Sequence, residues 1–247
     1  MKGIILSGGT GSRLLPLTKV TNKHLLPVGK YPMIFHALKR MKECSISDIL
    51  IVTGRDHMGD VVNLLGSGRE LGLSLTYKVQ DEAGGIAQAL GMAEQFVNAD
   101  QMLVILGDNV FSGSIVPFVN KFKSQGRGAK IIIKEVPDPQ RFGVPQLSGD
   151  KIISIEEKPL VPKSNYAVTG IYMYDSQVFD IIRTLRPSAR GELEITDVNN
   201  AYISRNELTY DILPGWWTDA GTHESLARAN ELAKDIDLGE EFGKLKS

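Results

Sequence analysis

Short apolar runs alternate along the first half of the chain with stretches whose apolar residues recur every three to four positions. Gly3–Leu6, Asp48–Thr53, Ser74–Val79 and Met102–Leu106 read as strands, and Met33–Lys42, Met58–Leu65 and Ile86–Phe96 as helices between them. Strands rich in Ile, Val and Leu, separated by amphipathic helices, predict a parallel sheet with helices on its faces. Ligands of such sheets gather at the carboxyl ends of the strands, so the informative loops follow Leu6, Thr53, Val79 and Leu106.

The pattern then changes. Ala129–Glu135, Val144–Leu147, Lys151–Ile155 and Asn165–Tyr174 alternate as strands, with Ser148-Gly149-Asp150 as a turn, which predicts a β-rich antiparallel or mixed lobe. Helices return at Ser176–Thr184, Glu194–Arg205 and His223–Lys234. The expected fold class is α/β: a Rossmann-like, mostly parallel mixed sheet flanked by helices, with a β-rich lobe. No repeat or long linker interrupts the 247 residues, which fit one domain.

Composition removes several function classes. The chain is 42% hydrophobic and 23% charged with a net charge of -1, so no basic field invites nucleic acid. No run approaches the roughly 20 apolar residues that span a bilayer. No signal-peptide pattern opens the chain, which makes a cytoplasmic protein the expectation. The one cysteine, Cys44, has no intramolecular partner and reads as core filler. The four histidines are scattered and show no metal-ligand spacing.

Candidate chemistry begins after the first strand, in Leu6-Ser7-Gly8-Gly9-Thr10-Gly11-Ser12-Arg13-Leu14. Glycines let backbone N–H groups approach a ligand, and Arg13, with Lys23 further on, can neutralise phosphate. The P-loop pattern fails, because Arg13 stands where its second glycine belongs. The dinucleotide fingerprint fails at Leu14, and Pro16 follows instead of a helix, which disfavours a nicotinamide oxidoreductase. A plain glycine turn remains the competing reading of this loop alone. Two apolar runs end in carboxylates, Asp108 in Leu106-Gly107-Asp108-Asn109 and Asp219 in Trp216-Trp217-Thr218-Asp219. Two carboxylates plus substrate phosphates suit Mg2+, although each aspartate alone could serve a turn or a helix cap. Gln80 offers a donor and an acceptor to a base edge, ahead of Gly84 and Gly85 at a helix start. Glu157 with Lys158, the run Val168-Thr169-Gly170, and Arg190-Gly191-Glu192-Leu193-Glu194-Ile195-Thr196-Asp197 complete the polar segments. In the last of these, capping by Thr196 and Asp197 is the alternative to a ligand role.

Taken in order, these segments resemble the sugar-phosphate nucleotidylyltransferases over nearly the whole chain. The glycine loop through Pro16, Lys23-x-Leu25-Leu26-Pro27-Val28, Gln80 with Gly85-Ile86-Ala87-Gln88-Ala89, and Leu106–Asn109 match the broad class. Tyr166-Ala167-Val168-Thr169-Gly170 and Gly191–Asp197 point to its thymidylyltransferase group. The resemblance implies dTTP and glucose 1-phosphate as substrates, dTDP-glucose and pyrophosphate as products, and Mg2+ as cofactor. Leu6, Gly8, Gln80 and Gly85 would hold thymine and deoxyribose. Gly9, Gly11, Ser12, Arg13 and Lys23 would hold the triphosphate, with Arg13, Lys23 and Asp108 catalytic and Asp108 and Asp219 on the metal. Gly143, Glu157, Lys158, Val168 and Glu192 would hold the glucose phosphate, with Arg190 near the phosphates. Residues of about 1–125 then form the nucleotide-binding half of the domain 1–247, about 126–222 the sugar-phosphate half, and 223–247 a C-terminal helix and tail. The resemblance also implies a deoxysugar route such as dTDP-rhamnose synthesis and a homo-oligomer without nucleic-acid or membrane partners. A UTP- or CTP-using enzyme of the same fold and a non-catalytic nucleotide-binding module are the alternatives. Gly239 and Gly243 weaken any further helix in the tail, so a reduced second nucleotide site is expected.

Overall fold

The computed structural model describes Met1–Gly243; the last four residues of the expected tail, 244–247, lie outside the described residues. The strands are Lys2–Ser7 (β1), Pro27–Val28 (β2), Tyr31–Pro32 (β3), Asp48–Gly54 (β4), Ser74–Gln80 (β5), Met102–Leu106 (β6), Asn109–Phe111 (β7), Ala129–Glu135 (β8), Gly143–Ser148 (β9), Lys151–Glu157 (β10), Tyr166–Tyr174 (β11), Leu208–Ile212 (β12) and Trp217–Asp219 (β13). The helices are Met33–Glu43 (α1), Met58–Leu65 (α2), Ile86–Gly91 (α3), Glu94–Val97 (α4), Val116–Gln125 (α5), Gln177–Thr184 (α6), Ile195–Ser204 (α7), His223–Ala233 (α8) and Glu240–Gly243 (α9). The main sheet has seven strands in the order β12-β8-β11-β6-β1-β4-β5. It is mixed and mostly parallel, as the alternation of runs predicts.

The chain gathers into two compact units. The first, here the loop unit, takes Lys2–Ala83, Ile105–Ser112 and everything described from Gly215 onward. Its strands β1, β4 and β5 run parallel, with Ile5 opposite Ile51 and Ile51 opposite Tyr77. Strand β5, at the sheet edge, is exposed or half-exposed along most of its length, whereas Ile4, Ile5, Ile49, Ile51 and Val52 are fully buried, which is why β1 and β4 read as unbroken apolar runs. Each such side chain contributes about 1.5–3 kcal/mol on burial. Pro32 opens α1, whose Arg40 and Lys42 lie in its last turn, where a helix favours cations. Cys44 is buried just past that helix, as expected of core filler. At the other end of the chain, Thr222 and Ser225 close a capping box on α8. The segment beyond α8 is packed despite its glycines: Phe242 is buried with its ring 5.5 Å from that of Phe35, and the Tyr31 hydroxyl donates to Asp237 at 3.0 Å.

The second, here the hairpin unit, takes Met1, Gly84–Val104 and Gly113–Pro214. Its β11 pairs antiparallel with β8, and β9 with β10, so the expected β-rich lobe is present. Three elements depart from the periodicity. The single helix expected over Ile86–Phe96 is two, because Gly91 ends the first. A Cβ there would stand 3.3 Å from Ile182 Cγ2, so glycine admits α6 at the expense of helix continuity. Helix α5 escapes the pattern because Pro117 reads as a breaker; it sits in the first turn, where the missing N–H costs nothing. Strand β12, parallel to β8, is a half-exposed edge whose Asp211 accepts from Lys121 and Lys130 rather than showing apolar alternation.

Candidate active site

In the loop unit, β1 delivers Leu6, buried at the strand end, and then the glycine loop. A Cβ on Gly8 would collide with the Gln80 amide oxygen, so the close approach of that side chain requires glycine there. Gly11 adopts φ 64°, which only glycine takes without cost, and its carbonyl accepts from Thr18 Oγ1 at 2.9 Å. The turn Ser12–Leu14 follows. Leu14 is buried in a cluster with Leu26, Val28, Val110, Ala220 and Leu226, while Arg13 beside it stays exposed. Leu14 thus anchors the turn that presents the guanidinium.

Lys23 sits on a second short turn, Lys23–Leu25, capped by Asn22, whose side-chain oxygen accepts from His24 N at 2.9 Å and His24 Nδ1 at 2.8 Å. His24 is buried, and chiefly for that reason its pKa falls to about 3, so the ring is neutral at physiological pH. Lys23 Nζ donates to Asp108 Oδ2 at 2.6 Å, and Asn109 Nδ2 donates to Asp108 Oδ1 at 3.0 Å. Burial pushes the Asp108 carboxyl up, but the neighbouring charges, Lys23 foremost, together with the hydrogen bonds from Lys23 and Asn109 outweigh it and hold the group well below the usual range.

Asp108 follows β6, and Asp219 ends β13. The β7–β13 pairing sets Asp219 opposite Asn109, and Ala220 N donates to the Asp108 carbonyl at 2.8 Å. Asn109 also accepts from Trp217 Nε1 at 2.7 Å. Two carboxylates remote in sequence therefore converge above Gly221. A Cβ on that glycine would lie 3.3 Å from Asp219 Oδ2, 3.7 Å from Asp108 Oδ2 and 3.2 Å from an Arg13 guanidinium nitrogen. The space is open only because the residue is glycine. Among the described residues no group of three or more His, Cys, Asp or Glu could hold a metal ion. A two-carboxylate cradle fits a hard cation that keeps water or phosphate in its other positions.

Beside these groups lies a cavity of about 290 Å³, lined among others by Gly9, Thr10, Lys23, Arg55, His57 and Gln80. Its walls come from the loops after β1, β4 and β5, the strand ends to which the alternation points. Periodicity places a loop after Thr53 but singles out no residue in it. Arg55 and His57 are found there by the fold alone, since no spacing in the chain links them to Gln80.

The hairpin unit holds the other predicted residues. Gly85, at φ 99°, opens α3, and a Cβ there would meet the Leu193 carbonyl at 2.5 Å. Leu193 N donates to the Gly84 carbonyl at 2.8 Å, so the Gly84–Gly85 turn is tied to the segment carrying Arg190 and Glu192. Arg190 reaches Glu194 through Nε at 3.1 Å and a terminal nitrogen at 2.7 Å, with Glu192 at 3.4 Å and Glu157 at 3.6 Å. Ser188 Oγ donates to Glu194 as well, at 2.7 Å. The hairpin register sets Gly143 opposite Glu157, leaving a notch in which a Cβ would approach Glu157 Oε2 at 3.4 Å and Thr196 Oγ1 at 3.3 Å. Lys158 follows at φ 46°, with its Nζ 3.7 Å from Glu157 Oε1. Val168 is buried where β11 slips register against β8, a break of the kind common at functional sites.

Thr196 and Asp197 do not cap α7. Glu194 holds the N-cap position without a side-chain cap, and Thr196 Oγ1 instead donates to Glu157 Oε2 at 2.7 Å. Glu194 and Thr196 are thus site-forming residues that a capping interpretation hides. Asn109 is another, visible in sequence only as the neighbour of Asp108.

The chain is similar to known proteins over most of its length. The nucleotidyl transferase family model matches residues 2–236. A glucose-1-phosphate thymidylyltransferase of Neisseria meningitidis serogroup A is 42% identical over 240 residues, covering 96% of this chain and 83% of that relative. One of Mycolicibacterium smegmatis is 40% identical over 242 residues, covering 96% and 84%. A crystal structure from Bacillus anthracis, provisionally assigned as a glucose-1-phosphate thymidylyltransferase and solved with a sucrose, is 65% identical with a TM-score of 0.95, covering 98% of this chain and 99% of that one. A UDP-glucose pyrophosphorylase at 24% identity and a TM-score of 0.84, covering 93% and 97%, shares the fold. Matched by that family model over residues 2–236 and by relatives at about 40% identity along nearly its whole length, the chain belongs to the nucleotidyl transferase family.

Proposed function

We propose that the protein transfers a thymidylyl group from dTTP to α-D-glucose 1-phosphate, giving dTDP-glucose and pyrophosphate. The observation that carries this reading is the convergence of Arg13, Asp108 and Asp219 on Gly221, with Lys23 on Asp108, beside a cavity lined by Gln80. The names of the relatives supply the nucleotide and the sugar.

The sugar phosphate is ionised at neutral pH and needs no general base. Its oxygen attacks the α-phosphorus in line and pyrophosphate leaves opposite. Arg13 and Lys23 offset the repulsion between the two anions and stabilise charge on the leaving group. Asp108 and Asp219 would hold Mg2+, which when bound supplies positive charge for the developing phosphate oxygens. Gln80 meets the thymine edge, with Leu6, Gly8 and Gly85 along the nucleoside and Gly9, Gly11 and Ser12 along the phosphates. In the hairpin unit, Gly143, Glu157, Val168 and Glu192 receive glucose hydroxyls, while Lys158 and Arg190 meet the phosphate. Product use in deoxysugar synthesis, a cytoplasmic setting and a homo-oligomer belong to the same reading. Among the described residues, no helix is long and apolar enough to cross a membrane.

Pyrophosphate release from each nucleoside triphosphate, crossed with several sugar 1-phosphates, tests the assignment. The highest kcat/KM is expected for dTTP with glucose 1-phosphate. A clear preference for UTP, CTP or an aminosugar phosphate reassigns the substrates, and no release from any pair removes the enzymatic reading.

A further inference from the structure

The carboxylate that the metal assignment needs is already taken. Asp108 Oδ2, the oxygen facing the Gly221 cradle, accepts from Lys23 Nζ at 2.6 Å. Its other oxygen accepts from Asn109 at 3.0 Å. The Lys23 and Asp108 side chains are only 14% and 16% exposed, so solvent does little to loosen the pair. A guanidinium nitrogen of Arg13 lies 3.2 Å from where a Cβ on Gly221 would stand and brings a second positive charge to the same cradle.

We propose that Lys23 stands in for the divalent cation, so that Asp108 and Asp219 take a metal only together with a triphosphate. This rests on the metal reading given above. The charge balance supplies the reason. Lys23 and Arg13 together cancel Asp108 and Asp219. A bare dication entering that neutral group meets two cations and must displace Lys23 from the one carboxylate it pairs with among the described residues, leaving the ammonium without that partner. A triphosphate arriving with the metal changes both terms. It brings negative charge of its own, and it offers Lys23 a new partner, because Lys23 also lines the cavity beside Gly9 and Thr10. The ammonium moves from carboxylate to phosphate as Asp108 Oδ2 turns to the metal. Metal and nucleotide then bind with positive coupling, and free metal does not preload the site.

Titration of Mn2+ into the nucleotide-free protein, with bound metal counted by electron paramagnetic resonance, tests this without turnover. Lys23→Gln is expected to bind Mn2+ more tightly than the wild type, on the order of 10-fold or more, the scale on which a neighbouring cation alters a carboxylate's affinity for a proton. Adding dTTP without sugar phosphate, against a dTTP-only blank, should tighten Mn2+ binding to the wild type by a similar factor and to Lys23→Gln by less. Lys23→Arg, which keeps the charge, should stay weak. Equal Mn2+ affinity in wild type and Lys23→Gln, with both lost in Asp219→Asn, overturns the stand-in role while leaving the metal site intact. Tight binding by Lys23→Arg assigns the effect to loosened packing and also overturns it. If Asp219→Asn leaves Mn2+ binding by Lys23→Gln unchanged, the metal reading itself falls, and the proposal with it.

Discussion

The two charged clusters solve opposite problems. In the loop unit, cations are scarcely matched: Lys23 has one carboxylate, and Arg13 points at an open glycine with no ion pair among the described residues. In the hairpin unit the balance reverses, since Arg190 alone faces Glu157, Glu192 and Glu194 within 3.6 Å. An undersupplied cation is ready for an incoming phosphate. An oversupplied one is held in place, and the surplus carboxylate oxygens remain to accept from hydroxyl groups. The excess also shows in Asp197, whose carboxyl is pushed up first by burial and then by Glu194 and Glu157. On the proposed reading, the loop-unit cluster has cations to spare for a polyphosphate, while the hairpin-unit cluster has carboxylate oxygens to spare for sugar hydroxyls and holds Arg190 in place for the sugar's single phosphate.

Breaking the loop-unit cluster should have the largest effect. Asp108→Asn and Asp219→Asn should fold yet lose ~100-fold or more in kcat if the ion supplies several kcal/mol of transition-state stabilisation. Steady-state rates at saturating Mg2+, beside thermal melts, check this; near-normal turnover in both variants refutes it. Arg13→Ala should come next, lowering kcat by roughly 100-fold with little change in KM for glucose 1-phosphate. Arg13→Lys should recover only part of that, because a point charge replaces a planar fork.

The hairpin-unit cluster should respond differently. Glu194→Gln removes one arm of the clamp on Arg190, and the expected result is a KM for sugar phosphate raised by about 10-fold with kcat largely kept, the loss of one charge-assisted hydrogen bond being worth about 1.5–3 kcal/mol. A fall in kcat at constant KM would erase the distinction between the clusters.

The smallest effect concerns the support of Lys23. His24 titrates near 6.5 when unfolded and about 3 in the fold, so the unfolded chain binds the extra proton first. Stability from this group is complete above pH 6.5 and lost as pH falls towards 3, by roughly 2 kcal/mol at pH 5. Urea melts at pH 7 and pH 5 should show that loss in the wild type and a flatter response in His24→Gln. An equal response in both proteins would place the titration elsewhere.

Much of the architecture was legible along the chain. The buried runs of β1 and β4 and the turn at Ser148–Asp150 carry local signals, because a strand buried on both faces must be apolar throughout, whereas β5, at the sheet edge, mixes polar and apolar residues. The glycine loop was legible for a similar reason, since a backbone that approaches a ligand needs those residues at those places. Elements governed by exceptions were less visible, as Pro117 at the start of α5 and Gly91 at the end of α3 illustrate.

Sequence by itself determined the residue types of the site: a glycine turn, two strand-end carboxylates, two cations and a Gln. Only the tertiary structure decided which of them meet. The β7–β13 pairing sets Asp219 beside Asn109, the buried Leu14 cluster holds Arg13 in its turn, and the Lys23–Asp108 pair closes over the cradle. Thr196 turns to Glu157, and Arg55 comes to the Gln80 cavity, by the same kind of placement. Local sequence encodes the conformation of a turn or strand, whose interactions are close in the chain. Pairing between remote charges depends on loop closure and packing, which no short-range pattern contains.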